Sequence, residues 1–151
     1  DLNPEKSKLI SGITSDKWEH RNIFFEKINN LNFGIDIYGK NFSKLDSLFK
    51  DEGLEKYKYS IAIENSSQKN YFTEKINDCF LLSTMPIYWG CPNILKFFPQ
   101  DSFRTIDINN PESIKDILSE PLCRRNIDAI MEAKNLVMYK YNLWPTIENL
   151  I

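Results

Sequence analysis

Apolar and polar positions along the chain change period several times, from about two residues to about 3.6 and back. Lys8–Ile13 reads as a strand that runs out in the small polar cluster Thr14-Ser15-Asp16. Residues 18–31 follow at helical period, with Phe24, Phe25, Ile28 and Leu31 on one stripe with Trp18. Gly34 breaks the chain, residues 35–38 read as a second short strand closed by Gly39, and residues 42–49 read as a loop or short helix. The third strand is expected over 59–63, with Tyr59, Ile61 and Ile63 alternating against Ser60 and Ala62. The polar run ENSSQKNY separates it from a helix over 72–83, whose core face is Phe72, Ile76, Cys79, Phe80 and Ser83. Met85–Trp89 is apolar throughout, the mark of a parallel strand covered on both faces, with Pro86 at its beginning. Gly90-Cys91-Pro92-Asn93 reads as a turn and residues 103–106 as a fifth short strand. The last third is helical. Residues 111–118 open on proline, and residues 121–141 hold Ile127, Ile130, Met131, Val137, Met138 and Tyr141 on one face before Pro145 forces a break.

Strands alternating with helices predict an α/β domain, a Rossmann-like parallel sheet with helices on both faces. No repeat, low-complexity tract or internal linker interrupts it, so the whole of 1–151 reads as a single domain. Ligands in such sheets bind beyond the carboxyl ends of the strands. The loop from Ile63 to Thr73 lies at such an end.

Composition narrows the function. The 151 residues are 42% hydrophobic and 26% charged, with a net charge of −2, ordinary for a globular domain with a real core. That balance argues against nucleic acid as a partner. No apolar run approaches the roughly 20 residues of a membrane helix, and the opening DLNPEKSKL has no signal-peptide pattern. Cys79, Cys91 and Cys123 are odd in number and widely spaced, which implies neither a disulfide framework nor a zinc site; they read as reduced core or near-core thiols. No Gly-rich phosphate loop and no G-x-G-x-x-G is present. No Asp-x-Asp occurs either.

Three charged residues ask for a reason. Lys75 falls in the first turn of the helix expected over 72–83, beside the positive end of its dipole, where an acid is preferred. The unpaired N–H groups there favour an anion. A phosphate at that mouth would make Lys75 useful; otherwise it is a solvated lysine. Glu74 would repel phosphate, and its acceptor-only carboxylate suits the paired hydroxyls of a ribose, or it simply favours the dipole. Arg21 falls near the middle of the apolar stripe of the preceding helix, where a guanidinium is costly unless paired. It either emerges at the sheet edge to meet a phosphate or snorkels to solvent or an acid. Tyr71 could stack on a base or sugar, or act as a staple. His20, the lone histidine, reads as a surface residue near a helix start, and Asp101, Asp107, Glu112 and Asp116 as solvated acids or helix caps.

The stretch IENSSQKNYFTEKINDCFLLSTMPIYWGCPNI resembles the donor-binding signature of the inverting α-1,3-fucosyltransferases. Their pattern is approximately Phe-Glu-Asn-Ser, a spacer, Asp-Tyr-x-Thr-Glu-Lys, a helix, then a Gly-x-x-Pro-Val strand ending in a glycine. FPQDSFRTID is similar to the family's Pro-x-Ser-Phe segment. Upstream, KLISGITSDKWEHRNIFFEKINN with DIYGK is similar to its first strand, its Ser-x-Cys turn, its arginine-bearing helix and its Tyr-Gly strand end. The resemblance runs by motif from about Lys8 to Ile106. It departs at Ile63 for phenylalanine, Asn70 for aspartate, Asp16 for the turn's cysteine, and Ser83 and Thr84 for alanine and glycine.

The resemblance implies the C-terminal half of a GT-B glycosyltransferase with GDP-fucose as donor substrate, no metal and no other cofactor. It implies that Arg21 and Lys75 hold the diphosphate, that Glu74 contacts the ribose, and that Tyr71 and Asn65 lie at the same cleft. In this family the general base comes from an N-terminal acceptor domain that nothing before Lys8 resembles. No catalytic residue is therefore expected here, the glycan acceptor would be met through that other domain, and the isolated chain would transfer little. The cell compartment stays open: cytoplasm or membrane periphery for a bacterial chain, Golgi lumen for a eukaryotic one. Two other readings stay open, a donor domain for another nucleotide sugar and a non-catalytic interaction domain with a relic cleft.

Overall fold

The computed structural model describes residues 5–15, 17–42 and 50–141; Asp16, residues 43–49 of the expected loop and the break at Pro145 lie outside them. The elements in order are β1 (Lys8–Ile13), α1 (Glu19–Asn30), β2 (Asp36–Tyr38), β3 (Tyr57–Ile63), α2 (Glu74–Leu81), β4 (Met85–Trp89), β5 (Arg104–Thr105), α3 (Ile114–Ser119) and α4 (Arg124–Leu136). A single 3-10 turn, Lys50–Gly53, precedes β3.

All five strands are parallel, in the order β2-β1-β3-β4-β5. The chain moves outward from β1 to β2, then returns past β1 and continues in the other direction. Right-handed crossovers in opposite directions place their helices on opposite faces. Hence α1, against which the Pro111–Ser113 turn packs, covers one face, and α2 with α4 covers the other. The reversal lies between β1 and β3, and there the first turns of the two crossover helices diverge and leave a crevice.

Each element has a local cause. In α1 the stripe Arg21, Phe24, Phe25 and Ile28 is buried, and Gly34 at φ +86° turns the chain into β2. Thr73 caps α2, its hydroxyl accepting from the Lys75 N–H. Ile76, Cys79 and Phe80 form the buried face of that helix. Pro86 stands second in β4, opposite Ser60.

Three sequence expectations change. Trp18 is not on the core stripe: it is 44% exposed, because it is the extended N-cap of α1 and precedes the helical turn that sets the phase. Ser60 and Ala62 agree with a sheet covered on both faces. As residues of the central strand they are buried like Tyr59, Ile61 and Ile63, and Ser60 takes a hydrogen bond from Ser11 at 3.1 Å. Met138 is exposed, because α4 runs into a π-helical turn, Val137–Tyr141, which rotates the side-chain phase; Ala129 and Ala133 take the core places instead. Cys123 is exposed, as the N-cap of α4, while Cys79 and Cys91 are buried thiols.

Candidate functional site

A cavity of about 330 Å³ opens at the switch point. Its walls are the ends of β1 (Ile13, Thr14) and β3 (Ile63), Arg21 from α1, and Glu74 and Lys75 from the first turn of α2. Two helices on opposite faces thus aim their N-termini at one space, and each brings a cation. A more apolar cavity of about 540 Å³ is lined by residues such as Leu9, Leu118, Leu122 and Ile130; it holds neither cation.

Arg21 is 5% exposed. Its Nη1 donates to Asn65 Oδ1 at 3.2 Å and its Nη2 to the Ile13 carbonyl at 3.4 Å. Its Nε is buried with no hydrogen-bond partner. Among the described residues no carboxylate forms an ion pair with it. Burial pulls its pKa below the ordinary arginine value, with the charges of Glu64 and Glu74 pulling the other way. A buried guanidinium held by neutral oxygens, with its Nε–H unpartnered, is a charge that an anion would satisfy.

Lys75 is also mostly covered: its side chain is 16% exposed and its Nζ lies 3.1 Å from Glu74 Oε1 and 3.5 Å from Thr73 Oγ1. Of the two readings open for Lys75, the structure disfavours the solvated one: the side chain folds over the helix mouth. Glu74 is shared, since Lys50 reaches the same oxygen at 3.7 Å. Burial works against ionisation of Glu74, yet the hydrogen bond and charge of Lys75, with Thr73 and the backbone, hold its carboxyl below the usual range.

Glu64, to which the sequence assigned no role, holds this geometry. It is fully buried. Its Oε1 accepts from Thr73 N–H at 2.9 Å and its Oε2 from the Thr73 hydroxyl at 2.7 Å, fastening the N-cap of α2. The Tyr88 hydroxyl adds a longer bond at 3.3 Å. The signal was a charge directly after an apolar strand. Gly90, at φ +155°, lies against its methylenes; a Cβ there would stand 2.3 Å from Glu64 Cγ. Asp78 and Lys50 also line the cavity unforeseen; the i, i+4 spacing of Glu74 and Asp78 was the available clue.

The remaining expected residues separate. Asn65 belongs to the site through Arg21. Tyr71 is half-buried in the loop before α2 and is not among the residues lining the cavity. His20 is not a plain surface residue: its ring lies between Trp18 and Trp89, with centroids 6.5 and 5.8 Å away, and its Nε2 is 3.4 Å from the Glu64 carbonyl oxygen. Of the four acids left as solvated or capping, Asp101 pairs with Arg125 at 3.2 Å and Asp107 accepts from the Asn109 N–H at 2.9 Å. Among the described residues no group of three or more His, Cys, Asp or Glu side chains could hold a metal ion, and no helix is long and apolar enough to cross a membrane.

An open parallel sheet with a cationic cavity over its switch point defines the class: a Rossmann-like α/β domain whose cleft lies at the carboxyl edge of its strands. Within that class the chain belongs to glycosyltransferase family 10 (fucosyltransferase), C-terminal part, whose model matches residues 3–126. The alpha-(1,3)-fucosyltransferase FucT of Helicobacter pylori is 39% identical over 70 residues, covering 46% of this chain and 15% of that protein. The 4-galactosyl-N-acetylglucosaminide 3-alpha-L-fucosyltransferase 9 of Mus musculus is 30% identical over 126 residues, covering 78% of this chain and 34% of that one. A crystal structure of an alpha1,3-fucosyltransferase with GDP-fucose superposes with a TM-score of 0.66 at 26% identity, covering 87% of this chain and 40% of that one. The chain thus has the fold of a GT-B-like fucosyltransferase and spans well under half the length of each of these relatives.

Proposed function

We propose that this chain is the donor-binding part of a metal-independent, inverting fucosyltransferase that takes GDP-fucose. The carrying observation is Arg21: a buried guanidinium with a spare N–H, sharing one cavity with Lys75 over the carboxyl ends of β1 and β3. The two cations hold the diphosphate. Glu74, on the rim beside Lys75, accepts from the ribose hydroxyls, and binding turns Lys75 from Glu74 toward phosphate. Asn65 orients Arg21, and Tyr71 lies against the donor from the loop above.

In the transfer step the acceptor oxygen attacks the anomeric carbon as the bond from that carbon to the β-phosphate oxygen breaks. The acceptor proton passes to a base, and GDP leaves. Negative charge grows on the diphosphate, so fixed cations there stabilise the transition state more than the ground state. The base and the glycan-binding surface belong to a preceding acceptor domain, in keeping with the fraction of each relative that this chain covers. The isolated chain accordingly binds donor and transfers little.

Isothermal titration of GDP tests the reading. Wild-type chain gives a saturable heat, and Lys75→Ala weakens affinity by about tenfold or more, the loss of one charge-assisted contact. Equal heats from both proteins, or none from either, would refute it.

A further inference from the structure

The cavity continues past Glu74 along α2. Asp78 stands one helical turn further on, on the same side of the helix, and lines the same space. Its side chain is half-buried, and no hydrogen bond or ion pair among the described residues reaches its carboxylate. Burial raises its pKa above the ordinary value, the charge of Lys50 opposing and those of Glu74 and Asp51 adding to the rise. Lys50 and Ser60 share this end of the cavity, and Leu54, Ile61 and Cys79 are buried apolar residues that complete its walls. A flat aromatic group fits between such walls.

From this arrangement we infer that Asp78 is the specificity-determining residue for the nucleobase, accepting the N1–H and N2–H of guanine. The inference rests on the reading of the cavity as a nucleoside diphosphate site. A nucleotide is joined in the order phosphate, ribose, base. With phosphate at Arg21 and Lys75 and ribose at Glu74, the base extends down α2, about 6 Å along the helix axis, to Asp78. A carboxylate only accepts hydrogen bonds. Guanine alone offers two adjacent donors on its Watson–Crick edge. Adenine and cytosine place a ring-nitrogen acceptor there, which a carboxylate repels, and uracil places one N–H between two carbonyls. A buried acceptor left unpaired rejects the wrong ligand more strongly than a missing contact alone would.

The test compares GDP, ADP and xanthosine diphosphate on the wild-type chain and Asp78→Asn by isothermal titration, with thermal midpoints checked for both proteins. Asparagine keeps the shape and turns one acceptor into a donor. Wild type binds GDP at least tenfold more tightly than ADP. Asp78→Asn weakens GDP by on the order of tenfold and binds xanthosine diphosphate more tightly than wild type does, because the 2-oxo group now meets an N–H. If GDP binds both proteins equally and the xanthine preference does not move, the assignment of Asp78 is wrong while the cation pair stands. If wild type binds no nucleoside diphosphate, both readings fall. Weaker binding of every diphosphate by Lys75→Ala, with the preference for GDP over ADP unchanged, supports a base site separate from the phosphate site.

Discussion

Single residues at the rim of the sheet carry most of the chemistry, and each is held by a neighbour with no direct part in it. Arg21 is oriented by Asn65, and Lys75 and Glu74 by Thr73, which Glu64 fastens in turn. Gly90 makes room for Glu64. Alanine there meets Glu64 Cγ at 2.3 Å, Glu64 Cβ at 2.7 Å and the Tyr88 hydroxyl at 2.9 Å, in a backbone conformation that L residues rarely adopt. Gly90→Ala should therefore cost about 2–4 kcal/mol. Urea unfolding reads this as a lowered midpoint at unchanged slope, and a change below about 0.5 kcal/mol, the usual range of surface substitutions, would contradict it. Lys75 and Arg21 stood out in the sequence because each broke a local rule, a cation at a helix N-terminus and a charge on an apolar stripe. Glu64 and Asp78 broke none. An acid after a strand or within an amphipathic helix is ordinary until its surroundings are known.

At the scale of elements, the ends matter more than the middles. The strands and helices follow hydrophobic period closely, β1 and β4 to the residue. The misses are at the ends, where the period no longer constrains the chain: Trp18 at an N-cap, Cys123 at another, Met138 where the coil widens to a π turn. The α4 N-cap is improvable. Asn126 Oδ1 accepts from the Cys123 N–H at 3.1 Å, and the Cys123 sulfur meets the Asn126 N–H in return, a capping box in which sulfur is a weaker acceptor than a hydroxyl oxygen. Cys123→Ser should stabilise the chain by about 0.5–1 kcal/mol, measured by the same urea titration; no gain would mean that the thiol already serves as well. The amino ends of β2 and β3 are tied by a second network. The Tyr57 hydroxyl donates to Asp36 Oδ2 at 2.6 Å, and Lys8 pairs with the same oxygen at 3.1 Å.

That network links one corner of the sheet to the behaviour of the whole molecule in acid. The Tyr57 hydrogen bond, opposed by burial and aided by Lys8, holds the Asp36 carboxyl below its usual range. A carboxyl with a lowered folded pKa adds stability above its unfolded value of about 4, and that stability is lost as pH falls through the folded value. Thermal midpoints should therefore fall more steeply below about pH 4 in wild type than in Asp36→Asn. Parallel slopes would show that Asp36 is not coupled to folding. Across the whole molecule the strand order decides where a ligand goes. The reversal between β1 and β3 brings together Arg21 and Lys75, 54 positions apart in the chain, though no local pattern links them.

Sequence alone determined the alternation of strands and helices, the parallel α/β class, the resemblance to fucosyltransferases and the two cations worth attention. These depend on residue type and spacing, which are local quantities. Tertiary structure alone decided that β3 is central and buried on both faces, that Arg21 keeps a spare N–H, that Glu64 clamps the α2 cap, and that Asp78 faces the same cavity as Glu74. Those depend on which groups from distant positions share one desolvated space, and periodicity along a chain carries no record of that.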